Sequence, residues 1–599
     1  MNRRMRRRAH RAATAETPGN DGTAAETPIL PPPSSPPGGG SPRKTLAAAL
    51  LIALVVAALF LPVVDNGFTN WDDDVYVLKN PQVRVLSWTN VGGIFTSYLS
   101  GNYHPLTVLF HALEFRVFGD SARGYHAVSL LLHVANCVLL FWLVLLWNGG
   151  GLGASLAATL FFGLHPLRVE TVAWVSDTKD LLNTLFLLAA LIAYALHLKR
   201  QRGGFPFLAL AFFAVSLLAK ASGLTFPFLL LLCDYLLRRK LDRRSLAEKI
   251  PFVAAAAVAG GAALAARVDF GEMLAEAGVS WAENISTQVQ RLAGYYLWRV
   301  VDMSPTRILY PILKVEATLS SATFLKALAV LALGAAAVNL SARWTRSVVF
   351  GSLFFLIALA PAFNAYMLGY SADRFTYFPF VGLAYLFGEG FGRLSDLRRP
   401  SPVVMRALSG TALAAILAVL SVATRSRIPV WKDSFTLWAD AMMWYPGKGG
   451  AYAKRADAYL EAGKPEKALE DNAVMLAEQP RFWESWYVRA VALRQLGRPG
   501  EAMAAIDRAI RYHSNAAKAW LEKGRIHRMQ GDSANALKSL DQAIRLDPQL
   551  PEAHLERATV LVGLGDFDAA LTCLLAAERL GGEVDRDFLA KVRDLAAKQ

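Results

Sequence analysis

Four polar stretches set between apolar runs carry most of the residues in this chain that can do chemistry. The first, FTNWDDDVYVLKNPQV at 68–83, places Asp72, Asp73 and Asp74 between Trp71 and Tyr76. A carboxylate held near aromatics at a membrane face can act as a general base or bind a cation. A solvated acidic turn after a membrane helix would have the same composition, while the glycine and bidentate glutamate of a Ca²⁺ loop are missing. Later in the same segment Tyr103 and His104 precede His111 and Glu114, which the pattern puts on an interfacial helix. The second stretch, LHPLRVETVAWVSDTKDLLN, packs His165, Arg168, Glu170, Asp177, Lys179 and Asp180 into sixteen residues. Each would cost roughly 2.5–3.5 kcal/mol at mid-membrane depth, so they are expected in pairs or facing a wet cavity. The third, LLAKASGLTFPF, sets Lys220 at the end of a span, where it can snorkel or hold an anion. The fourth, YSADRFTYFPF, carries Asp373 and Arg374. Arg374 can clamp a phosphate bidentately or pair with Asp373. Several carboxylates and two lone cations on one face suit a phosphate-bearing lipid whose linkage is to be broken.

The elements that must position these residues are membrane helices. The chain is 54% hydrophobic and 19% charged, with mean hydropathy +0.30, too apolar for an ordinary soluble protein. Eleven apolar runs stand near 45–64, 127–147, 152–168, 181–198, 205–219, 223–237, 250–267, 322–340, 347–365, 377–392 and 407–424. The net charge of +15 comes from clusters such as Lys199–Arg202, Arg238–Arg244 and Arg398–Arg406. In alternating order these fall on one side, the cytoplasmic bias of membrane proteins. No basic stripe carries interleaved aromatics, so nucleic acid is excluded as a partner. Residues 288–301, with Arg291 and Arg299, are short for a span; they read as an interfacial helix with Tyr295, Tyr296 and Trp298 at headgroup level. Three cysteines give no disulfide framework. There is no Walker loop, no G-x-S-x-G elbow, no H-E-x-x-H and no C-x-x-C.

Two flanking regions differ in kind. Residues 1–44 begin MNRRMRRRAHR and run into PPPSSPPGGGSPRK, a composition that cannot pack and reads as a disordered cytoplasmic tail ahead of an uncleaved anchor. At the other end Gly463, Gly497, Gly531 and Gly565 recur every 34 residues, with Ala456, Ala490, Gly524 and Ala558, and Ala468, Ala502, Ala536 and Ala570, in register. Small residues at that period mark tetratricopeptide (TPR) hairpins, whose two helices pack closely there. The expected architecture is all-α: a tail (1–44), a polytopic helix bundle of about eleven spans (45–427), and a TPR α-solenoid (428–599). The solenoid comprises a half repeat at 428–448, repeats at 449–584 and a capping helix at 585–599.

The order of these motifs resembles the transmembrane-and-TPR O-mannosyltransferase-like proteins, within the GT-C superfamily of polytopic glycosyltransferases. The likeness rests on F-x-x-W-D-D-D-x-Y-V-x-x-N-P (68–81), H-P-x-x-x-E-x-V-A (165–173) followed by Asp180-Leu181-Leu182, Lys220-x-x-Gly223, and Asp373-Arg374 before Tyr377-x-Pro379. The resemblance implies an inverting transfer of sugar from a polyprenyl- or dolichyl-phosphate to a hydroxyl acceptor, a Ser or Thr of a polypeptide, on the outer membrane face. It places the general base at Asp73 or Asp72, with Asp73 preferred. It places donor-binding roles on Lys220, Arg374, His165, Glu170 and Asp180, with Asp177 and His104 joined to them by position. A divalent cation shared by Asp72, Asp73 and Glu170 is compatible with it. Two departures stand out. Eukaryotic relatives show Lys-Glu where this chain has Lys220-Ala221, and Glu-Arg where it has Asp373-Arg374, so mannose does not follow. The expected partners are a lipid-linked sugar, membrane lipid, and an acceptor polypeptide or partner protein in the TPR groove. The expected setting is a bacterial inner membrane with the array outside. The rival expectation is a non-enzymatic membrane scaffold that recruits envelope proteins through its repeats.

Overall fold

The computed structural model describes residues 41–200, 204–266, 281–302, 310–311, 321–363, 370–397, 401–444 and 449–598. The tail up to residue 40 and Pro446 of the half repeat lie outside them. The described chain is all-α apart from one two-residue antiparallel pairing, Tyr310–Pro311 with Tyr370–Ser371.

Each of the eleven apolar runs lies on a helix, but the helices differ in reach. Seven are long and apolar enough to cross a bilayer: Pro42–Asp65, Ala122–Trp147, Val175–Lys199, Arg243–Ala265, Ala322–Ser341, Arg346–Phe363 and Pro402–Trp431. Leu152–Gly163 and Pro166–Ala173, bent by 58°, make an eighth if taken as one broken span. Phe207–Ala219 and Ala221–Leu236 are shorter. Thirteen residues rise only about 20 Å of a core roughly 30 Å thick. Eleven full crossings are therefore not what the helix lengths give. The breaks at Pro166 and Lys220 instead turn the charged stretches into the body of the bundle.

Close helix approach depends on glycine. A Cβ at Gly382 would run into the Gly351 carbonyl oxygen and sit 2.9 Å from Phe354 Cβ, so Arg346–Leu359 and Phe380–Ser395 meet backbone to backbone. Small residues at a membrane helix interface allow this. Gly382→Val is expected to lower stability by about 1–3 kcal/mol, read as a lower midpoint of thermal unfolding in detergent.

The bundle also buries charge at its other end. Tyr194 donates to Asp234 (2.6 Å), Lys249 donates to both, and Arg239 reaches Glu248. Ionisable groups thus do not gather at one face alone, as the chain pattern had suggested. The stretch 288–301 differs from expectation too. Tyr295 and Tyr296 turn inward and pack on Phe355 and Leu359, and of the three aromatics only Trp298 is exposed.

Beyond Trp431 the chain forms helical hairpins, beginning with the single helix Ser434–Trp444 and continuing with pairs from Gly449–Glu461 to Phe567–Arg579. Gly463, Gly497, Gly531 and Gly565 all have left-handed φ of 65 to 79°. That conformation closes each first helix, and an L side chain adopts it only with strain. The array rests on the first polar loop: Gly67 N donates to Lys432 O (2.7 Å), Lys79 pairs with Glu461 (2.7 Å), and Arg84 pairs with Glu583 (3.1 Å).

Candidate active site

The two adjacent carboxylates of the first loop have opposite surroundings. Asp73 is buried, and both its oxygens are taken. Thr69 donates from its amide (2.9 Å) and hydroxyl (3.1 Å) to one, and Ser176 from its amide (2.9 Å) and hydroxyl (2.5 Å) to the other. It is a pin between the first and second polar stretches. Asp72 stands at φ 115°, a backbone state that costs a non-glycine residue roughly 1–3 kcal/mol. Among the described residues its carboxylate has no hydrogen bond or ion pair. Burial raises its pKa, against the pull of Lys179, Arg374 and Lys454.

Lys179 and Arg374, both within electrostatic reach of Asp72, line a cavity of about 320 Å³ with a polar head and an apolar alley; Asp72 itself is not one of its lining residues. His104, Lys179, Asp180, Asn183, Lys220 and Arg374 line the head. The alley runs between Leu224, Gly260 and Leu264 on one side and Leu359, Ala362 and Phe378 on the other. Gly260 and Leu264 belong to the span Arg243–Ala265, and Leu359 and Ala362 to Arg346–Phe363. The alley therefore lies between two membrane helices.

The cations at the head differ in what holds them. Lys220 is gripped by both oxygens of Asp180 (2.7 and 2.6 Å). Arg374 pairs with Glu170, which also accepts from the Arg374 amide (3.0 Å), and stacks on Trp174 at 5.0 Å. Neither is the lone cation that its sequence setting suggested. Lys179 is: it lies over the rings of Tyr76 (4.4 Å) and Trp174 (5.5 Å), with no hydrogen bond or ion pair among the described residues. His104 stacks on Tyr76 and, among the described residues, its Nε2 has no hydrogen-bond partner. Burial, then Lys179 and Lys220, holds its pKa well below the usual imidazole value. It is therefore a neutral hydrogen-bonding group at the cavity wall.

Other expected site residues stand elsewhere. His165 is fully buried, accepts from the Leu167 amide and lies 3.3 Å from the Val300 carbonyl, so it caps the turn that breaks the span and does not reach the cavity. Asp177 is fully buried, does not line the cavity, and among the described residues neither of its oxygens is hydrogen-bonded. Asp373 accepts from Tyr295 (2.5 Å), and burial pushes its pKa up to about 6. His111 and Glu114 pair with each other (2.8 Å) inside the fold, so they do not anchor an interfacial surface. Asp72, Asp73 and Glu170 do not form a ligand cluster. Asp73 is saturated by donors and Glu170 is held by Arg374, and no three His, Cys, Asp or Glu groups converge on a metal position among the described residues.

Sequence reasoning named Lys179 only as one of the six charged groups of the second stretch, without a role of its own, and did not single out Trp174 or the TPR-side indoles. Trp71 stacks on Trp438 at 5.1 Å and meets Trp431 and Trp174, so four tryptophans cluster at the residue before Asp72. Their signal in the sequence is only the cluster of aromatics flanking charged residues. The Glu170–Arg374 pair also yields a test. Glu170→Ala removes the carboxylate that buried Arg374 is paired with, which is expected to cost about 3–5 kcal/mol; Glu170→Met with Arg374→Met recovers most of that loss. Thermal unfolding of the two variants checks it.

A polytopic helix bundle with a first-loop acid within electrostatic reach of a cavity lined by cations, followed by a TPR solenoid, is the class this chain falls in. Its comparisons agree. Residues 103–264 match the dolichyl-phosphate-mannose-protein mannosyltransferase family, and 453–511, 492–551 and 527–584 match tetratricopeptide repeats. The protein O-mannosyl-transferase Tmtc1 of Drosophila melanogaster is 25% identical over 481 residues, covering 65% of this chain and 55% of that protein. TMTC4 of Mus musculus is 30% identical over 211 residues, covering 30% and 28%. The chain thus spans about half the length of the first relative and under a third of the second. A solved TPR protein of Thermus thermophilus aligns with 27% of this chain and 87% of its own at 24% identity and TM-score 0.24. The chain is an integral membrane protein that matches the transmembrane-and-TPR O-mannosyltransferase-like family.

Proposed function

We propose that the protein is a membrane glycosyltransferase moving a sugar from a polyprenyl-phosphate carrier to a hydroxyl of a polypeptide at the extracytoplasmic face. The observation that carries this reading is the cavity: three cations at its head and an apolar alley opening between two spans. An anion joined to a long hydrocarbon has that shape and polarity. The relatives' names, protein O-mannosyl-transferases, support a sugar as the transferred group.

The proposed chemistry is a single displacement. Asp72 takes the proton of the acceptor hydroxyl. The hydroxyl oxygen bonds to the anomeric carbon as the bond from that carbon to the phosphate oxygen breaks. The electron pair leaves on the lipid phosphate, where Lys179, with Arg374 and Lys220, offsets the developing charge. Asp73 takes no proton in this scheme, because its two oxygens already accept four donors; it holds the loop. Neutral His104 and Asn183 are placed to bond sugar hydroxyls.

The concave face of the repeats is proposed to take the acceptor. Arg494–Glu522 and Arg525–Glu556 tie neighbouring first helices together along it. The first hairpin stands next to the base, because the Lys454 carbonyl accepts from Asn70, two residues before Asp72. The test is a transfer reaction with full-length protein in lipid nanodiscs, followed by anomeric analysis of the glycopeptide by NMR. Inversion relative to the donor is expected. A product of retained configuration would overturn the single displacement.

A further inference from the structure

The TPR segment does more than lie near the first loop; it grips the residues that precede the base. Asn70 is buried, and each of its polar atoms apart from its carbonyl is engaged by the array. Its amide donates to Ser434 Oγ (2.9 Å), its Nδ2 donates to the Lys454 carbonyl (2.6 Å), and its Oδ1 accepts from Trp438 Nε1 (2.7 Å). The next residue, Trp71, stacks on the same Trp438. The residue after that is Asp72, in its left-handed conformation, followed by Asp73, pinned to the membrane domain through Ser176. The strained turn at Asp72 is thus stretched between two anchors, one in the repeats and one in the bundle. A side chain in a sparsely populated backbone state persists only where its surroundings over-determine it.

We propose that Asn70 is a positioning residue for the base, and that the TPR segment 428–461 is a working part of the catalytic centre and not a detachable recruiting arm. This rests on the function proposed above. The array holds Asp72 in its strained conformation, within electrostatic reach of Lys179 and Arg374 at the cavity head, so its removal stops chemistry on every acceptor, however small. The Lys454 side chain, carried by the same clamp, adds a positive charge within electrostatic reach of Asp72.

The experiment compares full-length wild type with Asn70→Ala, Trp438→Phe and, at the far end of the array, Glu583→Ala. Trp438→Phe keeps an aromatic ring and removes one hydrogen-bond donor, so it is the variant least disturbing to the fold. For Asn70→Ala and Trp438→Phe, kcat is expected to fall by about 10- to 100-fold with donor KM within twofold. The acid limb of the rate should move to lower pH, because a loosened loop leaves Asp72 less buried. Glu583→Ala should match wild type. Hydrogen exchange over 68–78 is followed in parallel and needs no activity; it should quicken in the first two variants only. Wild-type kcat and exchange in Trp438→Phe would overturn the inference. If the wild type transfers no sugar, the proposed function fails, and the exchange data alone decide whether the clamp exists.

Discussion

Asp72→Asn is expected to abolish transfer, by about 10²–10⁴-fold in kcat, with donor affinity and thermal stability close to wild type. General-base catalysis contributes on that scale. The Asp72 carboxylate has no structural partner among the described residues to lose. Asp73→Asn is expected to fail differently. An amide in place of that carboxylate offers one acceptor oxygen and turns an NH₂ toward donors from Thr69 or Ser176, so the pin breaks and the unfolding midpoint drops. Rate constants and unfolding midpoints for the pair separate a base from its anchor. Equal loss of activity in both, with neither destabilised, would count against the division of labour.

Lys179→Met should raise the donor KM by about 10- to 100-fold, the largest effect on binding among the head residues. Lys220 and Arg374 are each already held by a carboxylate, while Lys179 lies over the faces of Tyr76 and Trp174 with no ion pair among the described residues. A charge-assisted bond to phosphate is worth roughly 1.5–3 kcal/mol, and each 1.4 kcal/mol is tenfold in affinity. The same variant has a signature in pH. Asp72 works deprotonated, so the rate rises as pH passes its pKa. Burial has raised that pKa and Lys179 opposes the rise. Without the lysine the acid limb should therefore shift to higher pH, opposite to the shift expected on releasing the Asn70 clamp. An unchanged KM and limb would remove Lys179 from the site.

What could be read from the chain was whatever a short period or a dense run encodes. The 34-residue recurrence of Gly463 to Gly565 is such a signal, because a left-handed residue ends each first helix. The second polar stretch was another, since burying six ionisable groups calls for partners. The choice between Asp72 and Asp73 was not legible. It depends on a backbone turn at Asp72 and on donors from Ser176, a hundred residues away. Lys179 was not told apart from its charged neighbours for a similar reason. Its freedom follows from Asp180 being spent on Lys220 and from Tyr76 arriving under it from another loop. His165 looked functional because a histidine among charges invites that reading, yet its ring caps the broken span. The grip of the repeats on Asn70 joins positions 364 and 368 residues apart, a distance no local pattern reports.

The most direct measurement incubates purified full-length protein with a panel of radiolabelled polyprenyl-phosphate sugars and envelope polypeptides, beside Asp72→Asn. The account predicts label in Ser or Thr of a polypeptide with wild type and none with the variant. Donor left intact throughout, while the repeats still capture envelope proteins, would contradict it and leave a membrane-anchored scaffold in its place.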